Sequence, residues 1–126
     1  MSREIKFRVW DAVTKRYVDL STFTITYDGK LTAVTTSEIM NPVLNQKNYI
    51  VEQYTGLKDK NGKEIYEGDI LQIDDHILGD FVVVWHNFGW KIKRSVGYES
   101  LSVHKSEDCT VIGNIHENSE LLGGEK

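Results

Sequence analysis

Short segments in which apolar and polar residues alternate recur along the whole chain. A period of two is typical of strands that bury one face, and frequent turn residues separate these segments. Many short strands of this kind predict a mainly β fold, a small antiparallel barrel or sandwich. The predicted strands are residues 6–10, 17–20, 23–26, 31–35, 49–54, 70–73, 81–86, 90–94 and 109–115.

One strand departs from simple alternation. Residues 81–85 (FVVVW) are continuously apolar, which indicates a strand in the middle of a sheet with both faces covered. The next segment, 87–89 (NFG), is short enough to join this strand to residues 90–94 as a hairpin.

Gly56, Gly62 and Lys63 look like parts of a phosphate-binding loop. That loop requires four residues between its two glycines and a Ser or Thr after the lysine. Here five residues separate the glycines, and Glu64 follows Lys63. A carboxylate at that position repels phosphate and supplies no hydroxyl for magnesium, so the sequence excludes this site.

The same stretch fits a β-hairpin in two ways. Asn61 and Gly62 can form a two-residue turn, and Leu57 then faces Tyr66 on the opposite strand. Alternatively, residues 59–62 form a type I turn followed by a glycine bulge. Both versions use the left-handed backbone conformation that glycine adopts without strain.

A second turn is expected where Gly68 and Asp69 precede a strand. An Asp side chain at such a position commonly accepts hydrogen bonds from nearby backbone N–H groups, so a structural role is favoured over a catalytic or metal-binding one. The turn positions of the whole stretch are Gly56, Asp59, Asn61, Gly62, Tyr66, Gly68 and Asp69.

The length and composition predict one globular domain over residues 1–126. The chain is 40% hydrophobic and 27% charged, as ordinary folded proteins are. Within it we expect an irregular connector at residues 36–48 and a disordered tail at 123–126. One short helical turn is predicted at residues 120–122, where Asn118 or Ser119 can cap it.

Charge and cysteine content narrow the classes of function. The net charge of −4 gives no general attraction to nucleic acid, although a local basic stripe can still bind it. A single cysteine, Cys109, excludes an intramolecular disulfide and fits a reducing cytoplasm. Residues 1–6 contain no apolar signal core. We therefore expect a soluble cytoplasmic protein without a membrane partner.

The sequence offers no convincing candidate for a catalytic or metal-binding site. Residues 64–80 contain six carboxylates and His76 without a Lys or Arg, but no spacing matches a known metal site, so a solvated face is favoured. Cys109 could pair with a histidine as a nucleophile, but residues 109–112 resemble a strand in which a thiol is buried. We expect no catalytic residue, no metal and no cofactor.

A binding surface is the better hypothesis. Trp90, Lys91, Lys93 and Arg94 place cations beside an aromatic ring, which can stack bases and follow a nucleic-acid backbone. Lys58 and Lys60 add cations near the tip of the predicted hairpin. The competing interpretation places Trp90 in the core with the lysines as its solvated face.

Three blocks of the sequence resemble the YopX family of phage and prophage proteins. They are REIKFRVWD at 3–11, QYTGLKD with GKEIYEGDI between 53 and 70, and VIGNIHEN with ELL between 111 and 122. Ser119 and His116 depart from the family, which often has Pro and Tyr there. The Tyr66–Ile70 block also looks like the strand entries of SH3-like barrels.

The resemblance implies a small, mostly β fold in a bacterial host and no established activity. We therefore expect a non-enzymatic accessory protein that binds an unknown protein partner or a second copy of itself through its β surface. The alternative is nucleic-acid binding through the basic and aromatic strand. A metal-assisted hydrolase that uses the acidic stretch is the third hypothesis.

Overall fold

The computed structural model describes residues 4–19, 23–26, 28, 31–34, 40–42, 48–73, 81–94 and 97–122. Contacts divide the chain into two compact units. One contains residues 1–6 and 53–126, and the other contains residues 7–52. The strand β6, Tyr49–Lys58, runs through the boundary between them. The single domain expected from the sequence stays a prediction.

The unit of residues 7–52 contains β1 (Phe7–Asp11) and β2 (Arg16–Tyr17), which pair antiparallel with Trp10 opposite Tyr17. A separate three-stranded antiparallel sheet has the order β3-β4-β5. Its strands are β3 (Phe23–Ile25), β4 (Leu31–Val34) and β5 (Met40–Pro42).

The predicted connector is wrong in part, because β5 lies inside residues 36–48. Pro42 lacks an N–H group, but β5 is at the end of the sheet order, and proline is tolerated in such an edge strand. The rest of the connector, apart from Asn48, lies outside the described residues.

The unit of residues 1–6 and 53–126 is built around a five-stranded antiparallel sheet of order β11-β10-β9-β8-β12. Beside it, β7 (Glu64–Tyr66) pairs with the last part of β6. The mainly β, antiparallel class predicted from the alternation is confirmed. The five strands are β8 (Asp69–Ile73), β9 (Phe81–His86), β10 (Gly89–Arg94), β11 (Gly97–Ser100) and β12 (Cys109–Asn114).

The core of this unit forms on one face of the sheet. Because side chains alternate between faces, Phe81 and Val83 of β9 point with Ile92 of β10 into the interior, and all three are fully buried. Burying such side chains is the main stabilising contribution, about 2 kcal/mol each. Among the described residues, the buried cluster consists of Ile65, Leu71, Ile73, Phe81, Val83, Ile92, Leu101 and Cys109.

Two short helical turns accompany the strands. The predicted C-terminal turn is confirmed as a 3₁₀ helix over Ser119–Leu122. The sequence interpretation missed α1 (Val103–Ser106), which begins after Ser102, whose side chain accepts the N–H of Lys105. Within the ranges given above, no helix is long and apolar enough to cross a membrane. The predicted tail at 123–126 lies outside the described residues.

Candidate binding surfaces

The hairpin between β9 and β10 has an unusual turn. Its two loop residues, Asn87 and Phe88, have φ angles of 51° and 62°, and His86 pairs with Gly89. Two positive φ angles define the turn type that matches the twist of a hairpin, and Asn-Gly is its usual sequence. Here Gly89 lies one residue too late and belongs to β10. A phenylalanine, Phe88, therefore occupies the second of the two left-handed positions.

Phe88 is also the most exposed large apolar side chain among the described residues, with 96% of its surface accessible. Trp85, at the end of β9, is 55% exposed and meets Trp90 edge to face, with ring centroids 4.9 Å apart. Trp90 packs against the buried cluster, so it anchors the exposed ring of Trp85. We call Trp85, Phe88 and Trp90 the aromatic tip.

The opposite face of the same strands carries cations. Lys91 and Lys93 of β10 lie across from Val84 and Val82 of β9, on the side away from Ile92. On the next strand, Tyr98 pairs with Lys93, and the Lys93 Nζ atom lies 5.9 Å from the centroid of the Tyr98 ring.

The Tyr98 ring is stacked on the imidazole of His86, with centroids 3.9 Å apart and planes inclined by 6°. In such a stack the two rings lie face to face, so the imidazole covers and supports one face of the Tyr98 ring. We call His86, Lys91, Lys93 and Tyr98 the basic ribbon face.

The structure therefore separates Trp90 from the two lysines of the predicted surface, Lys91 and Lys93. Trp90 lies on the core side of β10, whereas Lys91 and Lys93 lie on the other side. Arg94 ends β10, and its side chain lies outside the described part of the structure. The aromatic partner of Lys93 is Tyr98, which the sequence interpretation missed because the two residues meet only through strand pairing.

The predicted lysines of the other hairpin, Lys58 and Lys60, are exposed on either side of Asp59. Asp59 itself is only 6% exposed. Its Oδ1 atom accepts the N–H groups of Asn61 at 2.8 Å and Lys63 at 2.9 Å, and its Oδ2 atom accepts the N–H of Val111 at 2.9 Å. This carboxylate fixes the turn and ties it to β12.

These contacts change the acidity of Asp59. Burial alone would raise the pKa of the carboxyl group, but the hydrogen bonds from Val111, Lys63 and Asn61 and the nearby Lys63 ammonium outweigh it. The pKa of Asp59 consequently lies below its ordinary value, and the group is ionised at neutral pH.

The turn itself is the four-residue version. The N–H of Gly62 donates to the carbonyl of Asp59 at 3.0 Å, and Gly62 has a φ of 84°. The predicted pairing of Leu57 with Tyr66 is wrong, because Tyr66 faces Tyr54 instead. The register shifts between Tyr54 and Lys58, where Gly56 has a φ of 90°.

The second turn leads into β8. The N–H of Tyr66 donates to Oδ2 of Asp69 at 2.8 Å, and Asp69 is 2% exposed. Gly68, with a φ of 88°, donates its N–H to the carbonyl of Val83 at 2.9 Å. The carboxylate of Asp69 is thus engaged in the fold of the turn.

The described residues contain no group of three or more side chains that could hold a metal ion. The acidic residues of the stretch 64–80 that follow Ile73, together with His76, lie outside these residues. The Cys109 thiol is fully buried and donates to the carbonyl of Lys105. A buried thiol of this kind is unreactive.

The unit of residues 7–52 has a polar network of its own. Glu52 is 2% exposed, and its Oε1 atom accepts from Arg8 at 2.8 Å and from the hydroxyl of Tyr17 at 3.1 Å. The Arg8 guanidinium also lies over the Tyr17 ring, 4.7 Å from its centroid. This network holds β1, β2 and the first part of β6 in place.

A cleft of about 390 Å³ opens beside these strands, lined in part by Asp11, Arg16 and Tyr49. The Asp11 carboxylate accepts the N–H groups of Val13 at 2.8 Å and Thr14 at 3.2 Å. Burial would raise the pKa of Asp11, but these bonds and Arg16 lower it below the usual value. Asp11 therefore stabilises its own turn.

The units described above define a mainly β protein with an exposed aromatic hairpin. A family model described as YopX protein matches residues 6–123. The chain therefore belongs to the YopX family, as the sequence blocks predicted.

Two crystal structures are similar to the chain over nearly its whole length. Protein EF1440 from Enterococcus faecalis is 28% identical, with a TM-score of 0.67, and the match covers 96% of this chain and 99% of that one. Protein YopX from Bacillus subtilis is 25% identical, with a TM-score of 0.58 and coverages of 92% and 96%. Neither name states an activity. No curated protein sequence matches the chain.

Proposed function

We propose that this chain is a non-enzymatic accessory protein that binds a protein partner through the aromatic tip. From the family resemblance we further expect that a phage or prophage encodes the protein and that it is located in the bacterial cytoplasm. The observation that carries the proposal is Phe88, which is 96% exposed while its backbone is left-handed.

Neither property of Phe88 favours the folded state. A left-handed backbone is unfavourable by about 1–2 kcal/mol for a residue with a side chain, and glycine or asparagine avoids most of that penalty. An exposed ring gains almost nothing from burial. Unfavourable backbone geometry at an exposed position is a feature of functional sites. A binding role explains why an aromatic ring is held there.

The surroundings of Phe88 suit protein recognition. Trp85 places a second exposed ring near the turn. Trp90, which packs on the buried cluster, holds that ring through their edge-to-face contact. Tryptophan and other aromatic side chains dominate the binding energy of many protein interfaces. The short turn also limits the freedom of the ring, so little entropy is lost on binding. The partner we propose has an apolar recess that accepts the Phe88 ring.

The test uses a displayed library of random peptides, selected on the wild-type protein and counter-selected on Phe88→Gly. We expect apolar peptides whose affinity falls at least about tenfold in Phe88→Gly, the loss typical of an interface anchor. Val103→Ser is the matched control, because Val103 is another exposed apolar residue, with 55% of its surface accessible, but lies on α1. Its affinity should be unchanged.

Two results would decide against the proposal. The first is a selection that yields no peptide with a preference for wild type over Phe88→Gly. The second is an equal loss of affinity in Val103→Ser, which would show that binding depends on general apolar exposure. If sedimentation shows concentration-dependent association that Phe88→Gly abolishes, the partner is a second copy of the chain.

A further inference from the structure

The two lysines of the basic ribbon face differ from Lys6 and Lys105 of the same unit, which are paired with carboxylates. Lys6 pairs with Glu64 at 2.5 Å, and Lys105 pairs with Glu99 at 3.1 Å. Among the described residues, Lys91 and Lys93 have no carboxylate within ion-pair distance.

The strand pairing shows why these charges are not compensated. On this side of β9, β10 and β11 the described residues are Val82, Val84, His86, Gly89, Lys91, Lys93, Tyr98 and Ser100, without an acid. Glu99 lies opposite Ile92 and therefore belongs to the other side. A chain with a net charge of −4 thus presents one locally basic sheet face.

The aromatic rings on this face point to the kind of anion. Tyr98 is 45% exposed, and its ring is braced by the imidazole of His86. Lys93 lies near the same ring. An acidic peptide needs only the lysines, whereas a nucleic-acid strand uses both the cations and a flat aromatic surface. Bases stack on such surfaces without regard to sequence.

We propose that the basic ribbon face binds single-stranded nucleic acid. Lys91 and Lys93, two residues apart on β10, contact successive phosphates, and a base stacks on Tyr98 beside them. This activity goes beyond the proposed protein binding, because it uses the opposite side of the hairpin strands from Trp85 and Trp90.

The test measures the fluorescence anisotropy of a labelled oligothymidylate of about 12 nucleotides, a typical site size for such surfaces. Two phosphate contacts predict a slope of log affinity against log salt of about −1.4, since each contributes about −0.7 on single strands. Affinity should then fall about sevenfold between about 50 and 200 mM salt.

Variants separate the two contributions. Lys91→Gln and Lys93→Gln should each reduce the salt slope by about 0.7. Tyr98→Ser should lower affinity at least about fivefold without changing the slope, whereas Tyr98→Phe keeps the ring and should bind normally. Lys63→Gln is the matched control, because it removes the same charge from an exposed lysine of the other hairpin.

Three results would overturn the proposal. They are no anisotropy change at about 50 mM salt, where phosphate contacts are strong; an equal effect of Lys63→Gln; and equally tight binding of a labelled oligoglutamate that Tyr98→Ser leaves unchanged. The last result would assign the face to acidic peptides. Phe88→Gly should bind the oligonucleotide as wild type does, so this test and that of the aromatic tip fail independently.

Discussion

The carboxylate of Asp59 accepts the backbone N–H of Val111 at 2.9 Å, which joins the first hairpin to β12 across 52 residues of sequence. The same carboxylate closes its own turn through Asn61 and Lys63. One buried acid therefore connects local turn formation to the pairing of distant segments. The family-like sequence block between residues 53 and 70 therefore contains a structural element of the fold.

Replacing Asp59 should destabilise the protein strongly. Asp59→Ala leaves three backbone N–H groups without their acceptor, and we expect a loss of about 3 kcal/mol in the free energy of unfolding. Urea denaturation followed by circular dichroism measures this loss. Asp108→Ala removes an exposed carboxylate and should change stability by less than about 0.5 kcal/mol. A loss of peptide or oligonucleotide binding in a fully stable Asp59→Ala protein would show that Asp59 is a site.

The same group should produce a defined pH dependence. Because the folded pKa of Asp59 lies below the usual value of 3.8, the unfolded chain binds the proton more readily. Its stabilising contribution is present in full above about pH 5 and is lost as the pH falls from there through the folded pKa. The stability difference between wild type and Asp59→Asn should be constant from about pH 5 to 7 and shrink below about pH 4. A difference that grows in acid would contradict the assignment.

The two tryptophans of the hairpin should differ in their contributions to stability. Trp90 packs on the buried cluster, so Trp90→Ala should lower the free energy of unfolding by about 3 kcal/mol. Trp85 is 55% exposed, and Trp85→Ala should lower it by about 1 kcal/mol or less. Thermal and chemical denaturation of both variants test this order. Equal losses would mean that Trp85 belongs to the core and is not part of a binding surface.

The unit of residues 7–52 depends on Glu52. Glu52→Ala leaves the Arg8 guanidinium and the Tyr17 hydroxyl without this acceptor, and we expect a loss of about 3 kcal/mol. Glu52→Gln keeps a hydrogen-bonding oxygen and should lose less. Glu107→Ala, at an exposed position, is the control in the same urea experiment. Unchanged stability in Glu52→Ala would show that water replaces the carboxylate without penalty.

Alternation predicted much of the fold because burial of one sheet face controls which residues a strand can carry. Alternation also predicts that Trp90 and Ile92 face one side of β10 and that Lys91 and Lys93 face the other, as the structure shows. The competing interpretation of those residues as core and solvated face had the correct placement. Grouping Trp90 with Lys91 and Lys93 in one surface relies on their proximity in the sequence. Successive side chains of a strand point to opposite faces, so neighbours in sequence do not share a surface.

Other features could not be predicted, since they arise from positions that meet only in three dimensions. The register of the first hairpin depends on the positive φ of Gly56, which shifts Tyr66 opposite Tyr54. The stack of His86 on Tyr98 joins strands that are not neighbours in the sheet. Phe88 did leave a signal, because Asn-Phe precedes Gly89 where Asn-Gly is usual.

One paired measurement on Phe88→Gly tests the proposed role of Phe88 most directly. Glycine relieves the left-handed backbone of a side chain that contributes almost no burial, so the free energy of unfolding should rise by about 1 kcal/mol. The affinity for peptides selected on the wild type should fall at least about tenfold in the same protein. Asn87→Gly should change both quantities less, because asparagine tolerates this conformation. A Phe88→Gly protein that is less stable, or that binds the selected peptides as wild type does, would contradict the account.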